Sequence, residues 1–348
     1  MDCFAPAIAV TGSAVVSAAG IGLKPALEAL NSDTSCLKPI PAELAAGTNG
    51  HCWGKADQFK ATDFIPPLKA RKLDRASQFA VATVGMALAD AGLVKGGFSP
   101  ERIGIALGSG FGGIANASEF LSGYYQAGLP GLSPMLFPNT VANAAASNAS
   151  IEYGLQGPNV TFIQRFCSAE SAILAACRFI EEGRADIMLA GGVDELTPQM
   201  IRGFAVTGQL QRFAAGFGEG CGILVLERAE HARRRGAAIA SRLTAINTVG
   251  FLLPGAEQQG GNQLLQTQNS CDQLFYSGPE PAVQPLLGTV AAASIRYPGR
   301  IIGNSLAMGG TVLGLLTASL QPGEQGLQLA ASPEGPYYAI SVTGGDPA

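Results

Sequence analysis

The sequence predicts an α/β protein in which buried strands alternate with helices. Short apolar runs rich in β-branched residues, such as 102–107 and 185–190, lie next to longer small-residue segments that end at a glycine. Strands without polar alternation are typical of sheets that helices cover on both faces. Hydrophobic residues make up 47% of the 348 residues and charged residues only 14%, which is typical of a compact chain with a large core.

The elements of the first two-thirds of the chain can be placed one by one. We predict strands at 7–11, 102–107, 160–163, 185–190 and 222–226. We predict helices that begin at 23, 78, 139 and 169, with Asp74 as an N-cap and Gly92, Gly154 and Gly183 as helix ends.

The pattern weakens beyond residue 236. We predict strands at 241–248 and 299–302, an apolar helix at 308–320, and a loop region rich in Gln, Gly, Pro and Asn at 254–288. The length suggests two domains of ordinary size. We therefore divide the chain into an N-terminal half, 1–236, and a shorter C-terminal half, 237–348.

Charge and cysteine content restrict the environment and the partners. A net charge of −4 argues against a general attraction to nucleic acid or to membrane surfaces. The apolar stretch 8–21 has no basic segment before it, and no stretch is long enough to span a bilayer, so we expect a cytoplasmic protein. Seven cysteines without repeated spacing indicate reduced thiols, and two histidines give little support for a metal site.

The glycine-rich segment 108–114, GSGFGGI, invites comparison with dinucleotide-binding loops. Its glycines are not in register with a phosphate-binding helix and a following acidic residue. We therefore expect no nucleotide, and no other cofactor.

The most informative segment is 157–171, GPNVTFIQRFCSAES. An apolar strand leads into a turn that holds Phe166 and Cys167, and an alanine-rich helix follows. A helix N-terminus at such a turn stabilises a thiolate and an oxyanion. A free cysteine is also one of the most buried residue types, so a purely structural Cys167 stays open.

Several further segments occur in a specific order. They are VTGSAVVSAAG (10–20), KLDRASQFAVATVGMALADAGL (72–93), IGIALGSGFGGI (103–114), SPMLFPNTVANAAASNASIEYGLQGPN (133–159), ADIMLAGGVDEL (185–196) and GEGCGILVLERAEHARRRGA (218–237). Together with the turn at 166–167, they resemble the β-ketoacyl synthase (condensing enzyme) family of fatty-acid and polyketide synthesis. The resemblance implies a thiolase-like layered αβαβα fold with two related halves, of which the C-terminal half is shortened.

Members of that family use a cysteine thiolate to accept the acyl chain and two histidines for decarboxylation and enolate stabilisation. A gap-free reading from Gly157 places Phe166, not Cys167, at the nucleophile. The second histidine falls on Asn304 in GNSLAMGG, and the family's lysine falls on Gly299 beside Arg300.

The other catalytic motif and the chain's own histidines provide no replacement. Nothing in 270–290 resembles the HGTxT motif that holds the family's first histidine. His51 lies in an early loop, and we expect His231 to lie on a charged, solvated helix face. We therefore expect no catalytic residue of the family to be retained.

The resemblance implies a chain-length-factor-like, catalytically inactive subunit. Such a subunit pairs with an active ketosynthase and shapes its acyl tunnel, here in a compact form like those of aryl polyene pathways. The residues expected at the tunnel or the dimer interface are Phe111, Met135, Leu136, Phe137, Val160 and Phe162. A basic cluster, Lys69, Arg71 and Lys72, is a candidate for docking the acidic acyl carrier protein, although charge runs of this kind are more often simply solvated surface.

Two alternatives remain open from the sequence. The chain could be an active acyltransferase, condensing enzyme or hydrolase that uses Cys167 as a shifted nucleophile. It could also be a structural or regulatory protein that only shares the fold, since fold does not determine function.

Overall fold

The computed structural model describes residues 2–44, 47–48, 50–93, 98–210, 216–250, 255, 257–266 and 268–345. Its strands are β1 Asp2–Ser17, β2 Gly20–Ile21, β3 Lys38–Pro39, β4 Cys52–Gly54, β5 Ile103–Gly108, β6 Asn159–Phe162, β7 Ile187–Asp194, β8 Phe217–Gly218, β9 Gly220–Arg228, β10 Ser241–Val249, β11 Ser270–Ser277, β12 Ala291–Arg296, β13 Gln325–Ala331 and β14 Tyr337–Gly344.

The helices lie between these strands in the sequence. They are α1 Leu23–Asn31, α2 Pro67–Ala70, α3 Arg75–Asp90, α4 Ile114–Ala127, α5 Ala144–Tyr153, α6 Ser168–Glu181, α7 Pro198–Val206, α8 Ala229–Arg234, α9 Glu257–Leu264, α10 Glu280–Leu287, α11 Gly299–Ile302 and α12 Gly309–Ser319. Short 3-10 helices lie at Ala61–Asp63, Pro100–Arg102, Leu129–Gly131 and Phe137–Asn139.

One hydrogen-bonded path joins most of the strands into an 11-stranded sheet. Its order is β12-β11-β13-β14-β10-β1-β9-β7-β5-β6, with β2 attached to β1, and β3, β4 and β8 form a separate small sheet. β1 pairs antiparallel with both β9 and β10, so it connects the N-terminal strands to the C-terminal strands. Parallel pairs occur at both ends, because β5 pairs with β6 and β7, and β11 pairs with β12 and β13. The division proposed after residue 236 falls in the connection between α8 and β10.

The helices form layers around these strands. α3 and α5 cover one face of the N-terminal strands, in a cluster that includes Phe79, Ile105 and Val225. α6 and α12 lie between the two groups of strands, since their cluster contains Leu224 of β9 and Ile340 of β14. α9 and α10 cover the outer face of the C-terminal strands. The expected layered α/β architecture is confirmed.

Local sequence explains the main helix boundaries. Asp74 caps α3 by accepting a hydrogen bond from Ser77 N at 3.3 Å, and Gly154 ends α5 in the left-handed conformation. The N-terminus of α12 lies directly on β7 and β9, where a Cβ on Gly222 would collide with the backbone of Gly310 and Thr311. This contact requires glycine because the two backbones approach too closely for any side chain.

The C-terminal third is more regular than we predicted. The predicted loop 254–288 contains α9, β11 and α10, and the predicted strand 299–302 is helix α11. β14 pairs with both β13 and β10 of this chain. The N-terminal predictions hold with shifted ends. β1 extends to Ser17, and the helix predicted from 139 begins at Ala144, after the 3-10 turn that contains Pro138.

Within the described residues, no helix combines the length and the apolar character needed to cross a bilayer.

Candidate functional site

The turn between β6 and α6 is built as the sequence predicted, with backbone geometry that few residues adopt. Arg165 and Cys167 have positive φ values of 58° and 64°. Ser168 holds the turn, because its hydroxyl accepts from Gln164 N at 2.9 Å and donates to Arg165 O at 2.7 Å. Phe166 lies between the two left-handed residues, with its side chain 3% exposed in the core between the sheet layers.

Cys167 stands at the N-cap of α6 but is buried. Its side chain is 5% exposed, and Sγ lies 3.4 Å from Pro336 O, to which the thiol can donate. Burial raises the pKa of Cys167 well above its ordinary value, and the Glu170 carboxyl adds to that effect. The thiol therefore stays protonated at neutral pH, against the preference of the helix N-terminus for a thiolate.

A buried acid occupies the first turn of α6. Glu170 is 1% exposed, and its Oε1 accepts hydrogen bonds from Ser277 Oγ at 2.9 Å and Gln328 Nε2 at 3.0 Å. Burial raises the pKa of this carboxyl more than its hydrogen bonds lower it. We did not predict this cluster. The sequence held one signal of a buried acid, because Glu170 shares a predicted helix face with the apolar residues Ile173 and Cys177.

Asn304 lies in a second buried polar group. Its Nδ2 donates to the hydroxyl of Tyr297, and that hydroxyl donates to Gly278 O at 3.0 Å. Burial raises the pKa of Tyr297, so the phenol is neutral at physiological pH. A Cβ on Gly299 would collide with the Tyr297 ring and approach Asn304 Oδ1, which leaves no room there for a lysine side chain.

The charged residues near this group and the two histidines have other partners. Arg300 pairs with Glu280 at 2.5 Å. His231 corrects our expectation of a solvated face, since its side chain is only 25% exposed and its Nδ1 lies 2.5 Å from Glu227 Oε2. His51 precedes β4 and is half-buried. Among the described residues, no group of three or more His, Cys, Asp and Glu side chains could hold a metal ion.

Asp194 joins the two glycine-rich loops. Its carboxylate accepts from Gly110 N and Ala307 N, both at 2.7 Å, and from Ser305 Oγ at 3.0 Å and Ser109 Oγ at 3.2 Å. Burial raises the pKa of Asp194 to about 6 in spite of these bonds. The carboxylate thereby holds the loop of Phe111 against the loop that follows Asn304.

The residues expected at an interface lie on exposed or half-buried surface. Met135 is 65% exposed and Phe137 59% exposed, and α4 has no buried residue along its whole length. Phe111 is 37% exposed. Leu136, Val160 and Phe162 are half-buried, the last two in the edge strand β6.

The basic cluster is exposed but partly neutralised. Lys69 forms an ion pair with Glu152, whereas the Arg71 and Lys72 side chains are exposed beside it. The backbone of Lys72 accepts a hydrogen bond from Asn139 Nδ2 at 2.6 Å, which connects this segment to the turn after Phe137.

Comparison with known proteins identifies the family. The model for the N-terminal domain of β-ketoacyl synthases matches residues 5–232. The chain belongs to the β-ketoacyl synthase family. It is 31% identical over 265 residues to 3-oxoacyl-[acyl-carrier-protein] synthase 2 of Vibrio harveyi, a match that covers 71% of this chain but 63% of that enzyme. The synthase 2 of Staphylococcus aureus strain N315 is 28% identical over 279 residues, with 74% of this chain and 67% of that enzyme covered.

Solved structures confirm the thiolase-type fold over nearly the whole chain. The ishigamide ketosynthase/chain length factor superposes with a TM-score of 0.82 at 19% identity, and 97% of this chain and 99% of that chain are covered. A β-ketoacyl synthase from Burkholderia phymatum STM815 gives a TM-score of 0.81, also at 19% identity and with 97% and 99% covered. A type II polyketide ketosynthase solved with its acyl carrier protein gives 0.80, with the same identity and coverage.

Proposed function

We propose that this chain is a non-catalytic subunit, similar to a chain-length factor, that pairs with an active ketosynthase and shapes its acyl tunnel in type II polyketide or fatty-acid-like synthesis, with aryl polyene synthesis as one candidate. The observation that carries this proposal is the buried benzyl side chain of Phe166, which the gap-free reading from Gly157 predicts to occupy the position of the family's nucleophile. A benzyl group cannot form a thioester, so an acyl chain has no attachment point there.

The other groups that condensation requires are replaced by neutral side chains. The amide of Asn304 does not exchange a proton near pH 7, as an imidazole does. Residues 270–290 hold no counterpart of the family's HGTxT motif. The hydroxyl of Ser277, at the end of β11, is bonded to Glu170. Proton transfer and enolate stabilisation therefore lack the groups that normally provide them.

The alternative, Cys167 as a shifted nucleophile, is disfavoured by its surroundings. A reactive cysteine requires an accessible thiolate in a positive environment. Cys167 is buried, and the pKa of its thiol is raised by burial and by the nearby Glu170.

The outer edge of β6, which pairs with no strand in the described part of the chain, supports a dimeric assembly. Ile105 N donates to Pro158 O and Ser109 N to Phe162 O, so alternate residues of β6 bond to β5. The backbone N–H and C=O of Thr161 consequently point outward, free to pair with a strand of a second subunit. Exposed Met135 and Phe137 add apolar surface of the kind that subunit interfaces bury.

Co-purification with a tagged ketosynthase from the same gene neighbourhood tests the proposal. We expect a one-to-one complex that Thr161→Pro disrupts and Thr161→Val preserves, because only proline removes the outward N–H. Circular dichroism of both variants checks that the subunit is folded. Absence of a complex with the unmodified chain would refute the subunit role and favour a structural or regulatory protein that only shares the fold.

Mass spectrometry after exposure to acyl-loaded carrier protein tests the lack of catalysis. We expect the acyl group on the ketosynthase partner and none on this chain. Acylation of Cys167, abolished in Cys167→Ala, would instead establish the shifted nucleophile.

A further inference from the structure

Three aromatic rings connect the interior near Asn304 to the surface at Phe111. The ring of Phe217 stacks on Phe204 with centroids 4.3 Å apart and planes 12° apart. Phe204 in turn contacts Phe111 with centroids 5.9 Å apart at 43°. Phe217 and Phe204 are 2% and 5% exposed, whereas Phe111 is 37% exposed, so the row runs from core to surface.

The inner end of the row is fixed by backbone pairing. Phe217 forms a parallel bridge with Asn304, in which Gly218 N donates to Asn304 O at 3.0 Å and Asn304 N donates to Gly216 O at 2.9 Å. The backbone on both sides of Phe217 is therefore held by hydrogen bonds to Asn304. Phe204, on the buried face of α7, packs on the ring of Phe217.

At the outer end, the backbone of Phe111 is also fixed. Gly110 N is bonded to Asp194 at 2.7 Å, and Gly112 N to Ser109 Oγ at 3.0 Å. A Cβ on Gly110 would approach Leu306 closely, and one on Gly113 would collide with Asn139 O. Since the loop cannot shift, the position of the Phe111 ring depends on its side-chain rotamer, and the ring behind it, Phe204, limits the rotamers that fit.

We propose that Phe204, supported by Phe217, is a positioning residue that holds the Phe111 ring outward, where it limits the length of the acyl chain growing in the partner's tunnel. This inference rests on the proposed function. The ligand is the apolar end of the growing acyl chain, which an exposed aromatic ring stops by excluded volume. A smaller side chain at 204 lets the Phe111 ring turn inward and leaves space in front of it.

The test uses the full-length chain in complex with its ketosynthase partner, supplied with malonyl-loaded acyl carrier protein, and measures product length by mass spectrometry. The variants are Phe204→Leu, Phe111→Ala and the double variant. Phe179→Leu, at the far end of α6 beside Arg184, is the matched control. Size-exclusion chromatography with light scattering on the same samples reports whether the heterodimer forms.

We expect Phe204→Leu to leave the heterodimer intact and to shift products to chains longer by a two-carbon extension or more. Phe111→Ala should lengthen them at least as much, and the double variant no further than Phe111→Ala alone. Phe179→Leu should change nothing. If Phe204→Leu does not fold, Phe217→Leu, which removes the supporting ring, should give a shift in the same direction.

The outcomes separate the inference from the proposed function. A heterodimer in which Phe111→Ala lengthens the products, while neither Phe204→Leu nor Phe217→Leu changes them, overturns the inference and leaves the subunit role standing. An equal additional shift from Phe204→Leu in the Phe111→Ala background also overturns it, because the two rings then act independently. Unchanged product length in Phe111→Ala also overturns the inference, because the Phe111 ring then does not limit the length of the acyl chain. If the unmodified chain forms no heterodimer, the proposed function fails and the inference with it.

Discussion

Glu195, at the end of β7, allows a pH-dependent stability prediction. Its side chain is 2% exposed, and its Oε1 accepts from Ala115 N at 2.8 Å in the first turn of α4. Its other oxygen, Oε2, and Oδ2 of Asp74 have no hydrogen-bond partner in the described part of the chain. The third carboxylate nearby, Glu219, is already paired with Lys55 at 2.6 Å and Arg75 at 2.7 Å. The cluster thus holds three carboxyls and two cations.

The pKa of Glu195 is raised from 4.5 to about 7, chiefly by burial and also by the Asp74 and Glu219 carboxyls. The hydrogen bond from Ala115 N and the charge of Lys55 oppose the rise. Because the folded state binds the proton of Glu195 more tightly than the unfolded state, the contribution of this group to stability is greatest below pH 4.5. It falls as the pH rises to about 7, and the group has no further effect above that. At about 1.4 kcal/mol per pKa unit, the shift corresponds to about 3 kcal/mol, part of which belongs to the coupled Asp74.

The perturbation is Glu195→Gln. Glutamine keeps the acceptor for Ala115 N, and its amide is uncharged like a protonated glutamate and can donate a hydrogen bond toward Asp74. We expect the variant to be more stable than the unmodified chain by about 1–3 kcal/mol at pH 8 and nearly equal to it at pH 5. Urea unfolding followed by circular dichroism between pH 5 and pH 8 measures the difference, with the exposed Glu101→Gln as control. A constant difference between variant and unmodified chain across this range would falsify the reasoning.

The remaining predictions concern reactivity, packing and docking. Cys167 in the folded chain should react with iodoacetamide at pH 7.5 roughly 100-fold more slowly than in urea, because its thiol is buried and protonated. Rapid labelling, measured by peptide mass spectrometry, would contradict this. Gly222→Ala should destabilise the chain by at least about 3 kcal/mol or prevent folding, because its Cβ collides with α12. Gly203→Ala, in open space on α7, should instead stabilise it by about 0.5–1 kcal/mol, and thermal unfolding distinguishes the two. Arg71→Glu should weaken carrier-protein binding several-fold in a titration at low salt, whereas Lys69→Ala should have a smaller effect, because Lys69 is already paired with Glu152. Equal effects of the two would argue against docking at this cluster.

Contiguous stretches of sequence were sufficient for the first two-thirds of the fold. Apolar runs such as β5 are buried at every position, and helix ends such as Gly154 carry a local signal in a residue that tolerates positive φ. The positions of Phe166 and Cys167 follow from the same kind of information, since an uninterrupted strand, turn and helix set the register of the elbow.

Among the C-terminal strands, β10 was predicted at 241–248, but β11 and β12 could not be found in this way. β12 is exposed at alternate positions and short, and β11 is stabilised by β13, about 50 residues further along the chain, so the decisive pairing is not local.

The sequence by itself determined the family and the order of the main elements, and it predicted Phe166 at the position of the nucleophile, because each depends on residues that are neighbours in the chain. Only the tertiary structure decided what surrounds that position. Glu170 is hydrogen-bonded to Ser277 and Gln328, which lie 107 and 158 residues away in the sequence. Asn304 is joined to Phe217 by a backbone bridge. Burial in the folded core then sets the protonation of Glu170 and Cys167, because a pKa depends on the solvent and charges that folding removes or brings near.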